Sequence, residues 1–144
     1  MEDFNEHIDK LRSSGIRPTK QRLMLSKVLF DQKKTFHFTI KKLKKLVEKD
    51  SRKKISLATL YNTVHAFKER GYLKEISLKG NKTFYDTNTK NHHHYYDEEL
   101  SQLIDIKNEN VSINNLPSPP SGKKIKEIEM IIRVASNNQN QNNY

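Results

Sequence analysis

Three amphipathic helices in succession most constrain the fold of this chain. Apolar residues recur at helical spacing over 19–30, and Pro18 suits the first turn of that helix. Thr39 and Ser56 are typical N-cap residues ahead of two further helices. Gly71 stands where the third helix needs a residue in the left-handed conformation to end it. Residues 19–71 therefore predict a three-helix unit.

Two strand-like runs follow the third helix. YLKEISL and KTFYDTN flank Lys79-Gly80-Asn81, a turn signal that predicts a β-hairpin. Three helices and then a hairpin is the order of a winged helix-turn-helix, although the same elements occur in folds that bind nothing. We assign residues 1–87 to a winged-helix domain.

The chain changes character from His92 onward. HHHYY and LSQLIDI predict two short strands, and residues 125–134 alternate well enough for a third. The intervening residues 107–122, rich in Pro, Asn and Ser, predict a connection with little core. Residues 88–134 therefore form a small second domain, and the polar residues 135–144 are expected to be a disordered tail.

The second domain has too few large apolar residues to be stable alone. The whole chain is 33% hydrophobic, with a mean hydropathy of −0.92. A second copy would supply the missing burial, so we predict a homodimer. The expected fold class is α+β, with an N-terminal winged helix-turn-helix followed by a small C-terminal α/β dimerisation domain.

Positive charge is concentrated at one end of the chain. Residues 1–80 contain 20 Lys and Arg against 9 Asp and Glu, a balance of +11, whereas residues 81–144 contain 7 against 8, a balance of −1. A codon bias toward lysine would spread lysines along the whole chain. The asymmetry instead predicts that the first domain binds a polyanion, with double-stranded DNA as the partner.

Several classes of protein do not fit this sequence. No run approaches the roughly 20 apolar residues that cross a bilayer, and MEDFNEHIDK lacks the features of a signal peptide. The chain has no cysteine, which excludes disulfides and a Cys-bound structural zinc. We therefore expect a cytoplasmic protein with no membrane partner.

The third helix is the predicted DNA-reading helix. Its apolar residues are expected to face inward: Leu57, Leu60, Tyr61 and Val64. Small and amide side chains on the outer face fit base edges, and the basic residues just before the helix fit phosphates. The candidate DNA-binding residues here are Arg52, Lys53, Lys54, Ala58, Thr59, Tyr61, Asn62 and Thr63. Tyr61 suits either the core or a base, His65 is expected at the core boundary, and an ordinary solvated helix face is the alternative.

Three consecutive histidines open the second domain. On a strand, His93 would point to one face and His92 and His94 to the other. Together with Asp86 and His37, these imidazoles form a ligand set without thiolate that fits Fe²⁺, Mn²⁺ or Zn²⁺. Imidazole is equally an axial ligand of haem. The alternative is a solvated histidine run.

These motifs together resemble the ferric uptake regulator superfamily. GIRPTKQR, LATLYNTVHAFKERGYL, the hairpin and HHH occur in its order, over roughly residues 10–134. DTNTKNHHHYY, LIDI and the proline-rich connection before IIRV are similar to its iron response regulator branch. The resemblance implies a dimeric repressor of iron and haem genes that is controlled by metal or haem.

The resemblance also implies roles for individual DNA-binding residues. Arg17 matches the basic residue that enters the minor groove, a contact that A/T-rich sequence favours. Tyr61 matches the tyrosine of the recognition helix. Asn62 stands where many relatives have arginine, which implies a different operator. The implied target is an A/T-rich inverted repeat.

The implied regulatory metal site is incomplete. His37, Asp86 and His93 match three of its ligands, and Tyr95 stands where a further histidine is usual. His92 matches a ligand of the family's other C-terminal site.

The iron response branch implies a second ligand for the histidine run. His94 stands where relatives often carry Asp. In this branch the three histidines His92, His93 and His94 are associated with haem or iron sensing. Haem is therefore the second ligand implied.

The favoured mechanism links ligand binding to the geometry of a DNA-bound dimer. A bound ion would set the spacing of the two recognition helices, and DNA accepts only spacings near whole helical turns. One alternative is a winged-helix protein that binds DNA constitutively and has structural histidines. Another is a metal-dependent hydrolase, for which the sequence offers no nucleophile constellation or phosphate loop.

Overall fold

The computed structural model describes residues 3–137, and the chain divides into two compact units, residues 1–89 and 90–144. The chain is α+β. The first unit contains α1 (Asn5–Ser13), α2 (Lys20–Phe30), β1 (His37–Phe38), α3 (Ile40–Ser51), α4 (Leu57–Arg70), β2 (Lys74–Leu78) and β3 (Lys82–Asp86). The second contains β4 (His92–Asp97), β5 (Gln102–Lys107), a 3-10 turn (Asn108–Asn110) and β6 (Ile131–Val134). None of the described helices combines the length and apolar character that a bilayer crossing requires.

Side-chain caps set the starts of three helices. The hydroxyls of Thr19, Thr39 and Ser56 each accept a hydrogen bond from the backbone N–H three residues on, at 3.1–3.3 Å. Gly71 ends α4 with φ +92°. These three helices begin where the sequence predicts, and α4 ends where it predicts. Helix α1 was not predicted, because its N-cap residue, Phe4, offers no side-chain cap.

The core of the first unit is formed by helices and β1 together. Its fully buried side chains are Leu11, Leu25, Leu29, Phe38, Leu43, Leu60, Val64 and Phe67. The Phe30 and Phe67 rings meet edge to face with centroids 5.2 Å apart. Lys68 Nζ donates to Glu75 Oε2 at 2.6 Å, and this bond raises the pKa of Lys68. The Phe67 contact with Phe30 and the ion pair of Lys68 with Glu75 thus fix the rotation of α4 about its axis.

The sheet of the first unit has the order β1-β3-β2 and is antiparallel throughout. The predicted turn joins β2 to β3, with Gly80 at φ +78° and Asn81 at φ +58°. The two-residue strand β1 was not predicted. It brings His37 directly opposite Asp86 on β3.

The second unit is a three-stranded sheet with the order β5-β4-β6, in which β6 lies parallel to β4. Two expectations are wrong here. The described part of this unit has no α-helix, so α/β does not apply to it, and the third strand covers only residues 131–134 rather than 125–134. Just before β6, the backbone N–H of Met130 donates to the ring of His93 and its carbonyl accepts from the His94 N–H. In the expected tail, residues 138–144 lie outside the described range.

A buried polar triad attaches α1 to α2. His7 is 4% exposed, and its Nδ1 lies 2.8 Å from the Ser26 hydroxyl, which is fully buried. Its Nε2 lies 2.9 Å from Asp31 Oδ1, at the C-terminal cap of α2. Since a carboxylate only accepts, Nε2 donates to Asp31, which leaves Nδ1 of the neutral ring to accept from Ser26. Both ring nitrogens are thereby satisfied.

We predict that His7→Ala lowers the free energy of unfolding of the first unit by about 2–3 kcal/mol, because it leaves the buried Ser26 hydroxyl without this partner. Urea unfolding followed by circular dichroism of the helices measures the change. His65→Ala is the matched control, since the His65 side chain is 68% exposed, and should cost less than about 0.5 kcal/mol. Equal effects of the two substitutions would contradict a structural role for the triad.

Candidate functional site

The outward face of α4 begins at its first residue. Leu57, Ala58, Tyr61 and Asn62 are exposed, and Thr59 is half-buried. The segment from 57 to 63, LATLYNT, carries no charged residue. Four of the predicted DNA-binding residues thus lie on or beside one accessible face of the helix: Ala58, Thr59, Tyr61 and Asn62.

Three expectations for α4 are wrong. Thr63 is fully buried, and its Oγ1 donates to the Thr59 carbonyl at 2.7 Å, so it does not face outward. Leu57 is 52% exposed and does not belong to the core; of the two positions left open for Tyr61, the structure has the exposed one, at 53%. His65 is exposed rather than at the core boundary.

These errors share one cause, which is that α4 is rotated about its axis relative to the predicted orientation. The buried stripe is Leu60, Thr63, Val64 and Phe67. It starts one turn later than predicted and includes a threonine whose hydroxyl is satisfied by the helix itself.

Cations surround the start of α4. Arg52, Lys53 and Lys54 are exposed in the connection that precedes it. Lys53 and Lys54, with Lys20 at the start of α2, line a cavity of about 220 Å³. Arg17 is exposed just before α2. Lysine and arginine side chains around an uncharged helix face can neutralise phosphates while that face approaches bases.

The second unit places two of the three histidines together. His92 and His94 lie on the same face of β4, with ring centroids 4.5 Å apart. Asp105, opposite His94 on β5, points one carboxylate oxygen at both rings. Its Oδ1 lies 3.4 Å from His92 Nε2 and 3.2 Å from His94 Nε2. Two donors at about 2.0–2.1 Å from a tetrahedral ion are separated by about 3.3–3.4 Å, so these distances fit ligands of one ion.

Neighbouring groups orient both rings. His92 Nδ1 donates to the Lys90 carbonyl at 2.7 Å, which leaves the lone pair of the neutral ring on Nε2, facing Asp105. Glu129 Oε1 lies 3.8 Å from His94 Nδ1, so both nitrogens of that ring have a carboxylate near them. A lone pair that faces a carboxylate oxygen is repelled by it unless a cation lies between them. The arrangement therefore fits a divalent metal ion.

His93 faces the other way. Its Nδ1 accepts from the Met130 backbone N–H at 2.9 Å, so the neutral ring carries its proton on Nε2, which donates to Asn108 Oδ1 at 3.0 Å. Neither nitrogen then offers a lone pair to a metal or haem. This corrects the ligand set that the resemblance implied, because His92 and His94 share a face with a carboxylate and His93 does not.

The first unit holds a pair of ligand-type residues. His37 on β1 is half-buried and stands opposite Asp86 on β3, which is 1% exposed. Asp86 Oδ1 accepts from the backbone N–H of Asn88 at 2.8 Å, which orients the carboxylate. Residues directly opposite each other in an antiparallel ladder share a face, so an imidazole and a carboxylate lie side by side.

Sequence reasoning missed two acidic residues. Asp105 interrupts the apolar strand LIDI, and Glu129 precedes β6. The sequence signal for Asp105 was a single carboxylate within the predicted strand that follows the histidine strand in the chain. Its position opposite His94 depends on the register of β4 and β5, which the turn between them sets.

Comparison with known proteins gives a consistent result. A model of the ferric uptake regulator family matches residues 13–133. The peroxide-responsive repressor PerR of Staphylococcus aureus (strain Mu50 / ATCC 700699) is 32% identical over 104 residues, covering 72% of this chain and 68% of that protein.

Solved structures are similar in fold. The Vibrio cholerae ferric uptake regulator gives a TM-score of 0.66 at 19% identity, covering 90% of this chain and 99% of that one. The Helicobacter pylori ferric uptake regulator, which has three functional metal binding sites, gives a TM-score of 0.65 at 13% identity. That match covers 99% of this chain and 97% of that one. At these identities the structural likeness shows the fold alone.

We predict that Asp105→Asn weakens Mn²⁺ binding by about tenfold or more, because it removes the charge between the two imidazoles. Isothermal titration of the full chain with Mn²⁺ measures it. His93→Gln is the control, since an amide can reproduce both hydrogen bonds of that ring, and should leave the affinity within about twofold. If His93→Gln weakened Mn²⁺ binding more than Asp105→Asn did, the result would support His93 as a ligand.

Proposed function

Because the chain belongs to the ferric uptake regulator family, we propose that it is a dimeric transcriptional repressor whose affinity for its operator depends on a bound divalent metal ion. It is a regulator and not an enzyme. The observation that carries the metal dependence is the convergence of His92, His94 and the Asp105 carboxylate in the second unit.

The first unit supplies the proposed DNA-binding surface as a winged helix-turn-helix. Helix α4 would enter the major groove with its uncharged outer face, where Asn62 can pair with adenine. Arg52, Lys53 and Lys54 would hold phosphates and set the register. Arg17 would enter the minor groove of an A/T-rich inverted repeat.

The second unit would hold Fe²⁺ or Mn²⁺, or Zn²⁺, through nitrogen and oxygen donors. A bound ion supplies positive charge that draws its ligands into one fixed arrangement. His92 and His94 would present their Nε2 lone pairs to the ion, and the half-exposed Asp105 would leave a path for it to enter. His37 and Asp86 stay a prediction of the resemblance as ligands of the regulatory ion.

Dimerisation is proposed to use the other face of the second sheet. Tyr95 on β4 stands between Ile104 on β5 and Ile132 on β6 in the strand register. These three side chains are 37–49% exposed and form one apolar row. Burial of such a row against a second copy would supply the core that this thin unit needs.

We predict that Ile104→Glu converts the dimer to a monomer, because two copies of the new charge would meet across a symmetric interface. Sedimentation velocity of the full chain measures the mass. Leu116→Glu, at an equally exposed leucine in the connection between β5 and β6, should stay dimeric. A monomeric wild type, or two dimeric variants, would contradict this interface.

The signal that the repressor senses has two candidates. The resemblance to the iron response branch predicts control of iron and haem genes, with haem at the histidine run. A relative at 32% identity is a peroxide-responsive repressor, which favours peroxide as the signal. An Fe²⁺ ion with nitrogen and oxygen ligands reacts with hydrogen peroxide, so the same metal site could serve this response. A protein with these functions acts where the chromosome lies, which is the cytoplasm.

We predict that Mn²⁺ strengthens binding to an A/T-rich inverted-repeat duplex about 5- to 150-fold over chelator, the usual range of coupling between two sites. Gel shifts with duplexes selected from a library of such repeats measure it. Asp105→Asn should lose the Mn²⁺ effect and keep the basal affinity. Equal binding with and without chelator would instead support a constitutive DNA-binding protein, and no binding to any duplex would contradict the repressor.

Two further measurements in this experiment distinguish haem from hydrogen peroxide as the signal. Haem or hydrogen peroxide is added to the Fe²⁺-loaded protein on its duplex. Release by haem alone supports the iron response branch. Release by peroxide alone supports a peroxide response.

A further inference from the structure

Two large apolar side chains are exposed in the described part of the first unit. These are Leu57 at 52% and Tyr61 at 53%, and the other exposed large hydrophobic residues in the described range belong to the second unit. Leu57 and Tyr61 lie one turn apart on α4 and therefore share a face. The first unit thus concentrates its exposed large apolar surface on a single helix.

Leu57 does not belong to the buried stripe of α4. The buried stripe of α4 starts at Leu60, and the helix start is capped by the Ser56 hydroxyl. The next residue, Ala58, is also exposed and has a small side chain, so it leaves the leucine accessible. Leu57 and Tyr61 together form the exposed apolar surface of α4.

The charges around this surface identify its partner. Lys53 and Lys54, which line a cavity together with Lys20, precede Leu57 in the connection to α4. Those cations attract a polyanion, whereas a protein partner that covers an apolar patch does not require three lysines. Phosphates held there would bring the first turn of α4 close to base edges.

We propose, resting on the function proposed above, that Leu57 is a specificity residue that contacts the C5 methyl groups of thymine in the major groove. Thymine is the one base that presents a methyl group there. The contact is apolar and requires no hydrogen bond, so an aliphatic side chain is its natural reader. Leu57 would thereby select particular thymines within an A/T-rich operator, in addition to any adenine that Asn62 reads.

Replacement of thymine by deoxyuracil tests this contact directly, since it removes the methyl group and keeps base pairing. The full chain with Mn²⁺ is first used to select its tightest duplex from a randomised library. Each thymine of that duplex is then replaced by deoxyuracil, one at a time, and affinity is measured by fluorescence anisotropy. At one or two positions the wild type should bind about fourfold more weakly, as expected for one lost buried methyl.

Leu57→Ala should bind the thymine duplex more weakly and be indifferent to deoxyuracil at those same positions. Leu100→Ala is the matched control, because Leu100 is an exposed leucine of the second unit, and it should keep the full deoxyuracil effect. Circular dichroism melts should be unchanged in both variants, since both side chains are exposed.

The outcomes separate this inference from the function on which it rests. If the selection enriches no duplex, the proposed repressor function fails. If a duplex is bound but deoxyuracil is tolerated everywhere, or Leu57→Ala is as sensitive to it as the wild type, the role of Leu57 is overturned. If the surface instead docked a protein or a second copy, Leu57→Ala would change mass in sedimentation and leave DNA affinity unaltered, which also overturns it.

Discussion

The packing of α4 into the first unit decides which side chains that unit presents to solvent. Leu60, Val64 and Phe67 are fully buried, and burial of each stabilises the fold by about 1.5–3 kcal/mol. The ion pair between Lys68 and Glu75 adds a polar tether to the hairpin. This fixed rotation exposes the side chains on the outer face of the helix, which are Leu57, Ala58, Tyr61 and Asn62. The proposed reading of bases depends on that rotation.

A similar constraint operates in the second unit. Side chains alternate along a strand, so three consecutive histidines cannot serve one site together. His92 and His94 converge on Asp105, while His93 bonds to Asn108 and to the backbone of Met130. His93 bonds to the backbone just before β6, and His92 and His94 remain available as ligands. One short strand thereby combines a structural residue with a metal-type donor pair.

Local chemistry made much of the first unit predictable. Thr19, Thr39 and Ser56 are caps whose hydroxyls bond as expected, and Gly71 adopts the left-handed conformation that its position needs. The inner face of α4 was misjudged because Thr63, which satisfies its own hydroxyl within the helix, is buried like an apolar residue. Alternation along β4 predicted that His93 would separate from its neighbours. Asp105 escaped notice because its partner is set by strand register, a long-range property that a local pattern does not contain.

The central claim is that metal binding and DNA binding are coupled, and thermodynamic linkage makes this coupling reciprocal. The most direct measurement is the Mn²⁺ affinity of the full chain with and without a saturating concentration of its selected duplex. We expect the duplex to tighten Mn²⁺ binding by the same factor by which Mn²⁺ tightens DNA binding. An Mn²⁺ affinity that is identical in the presence and absence of the duplex would contradict it.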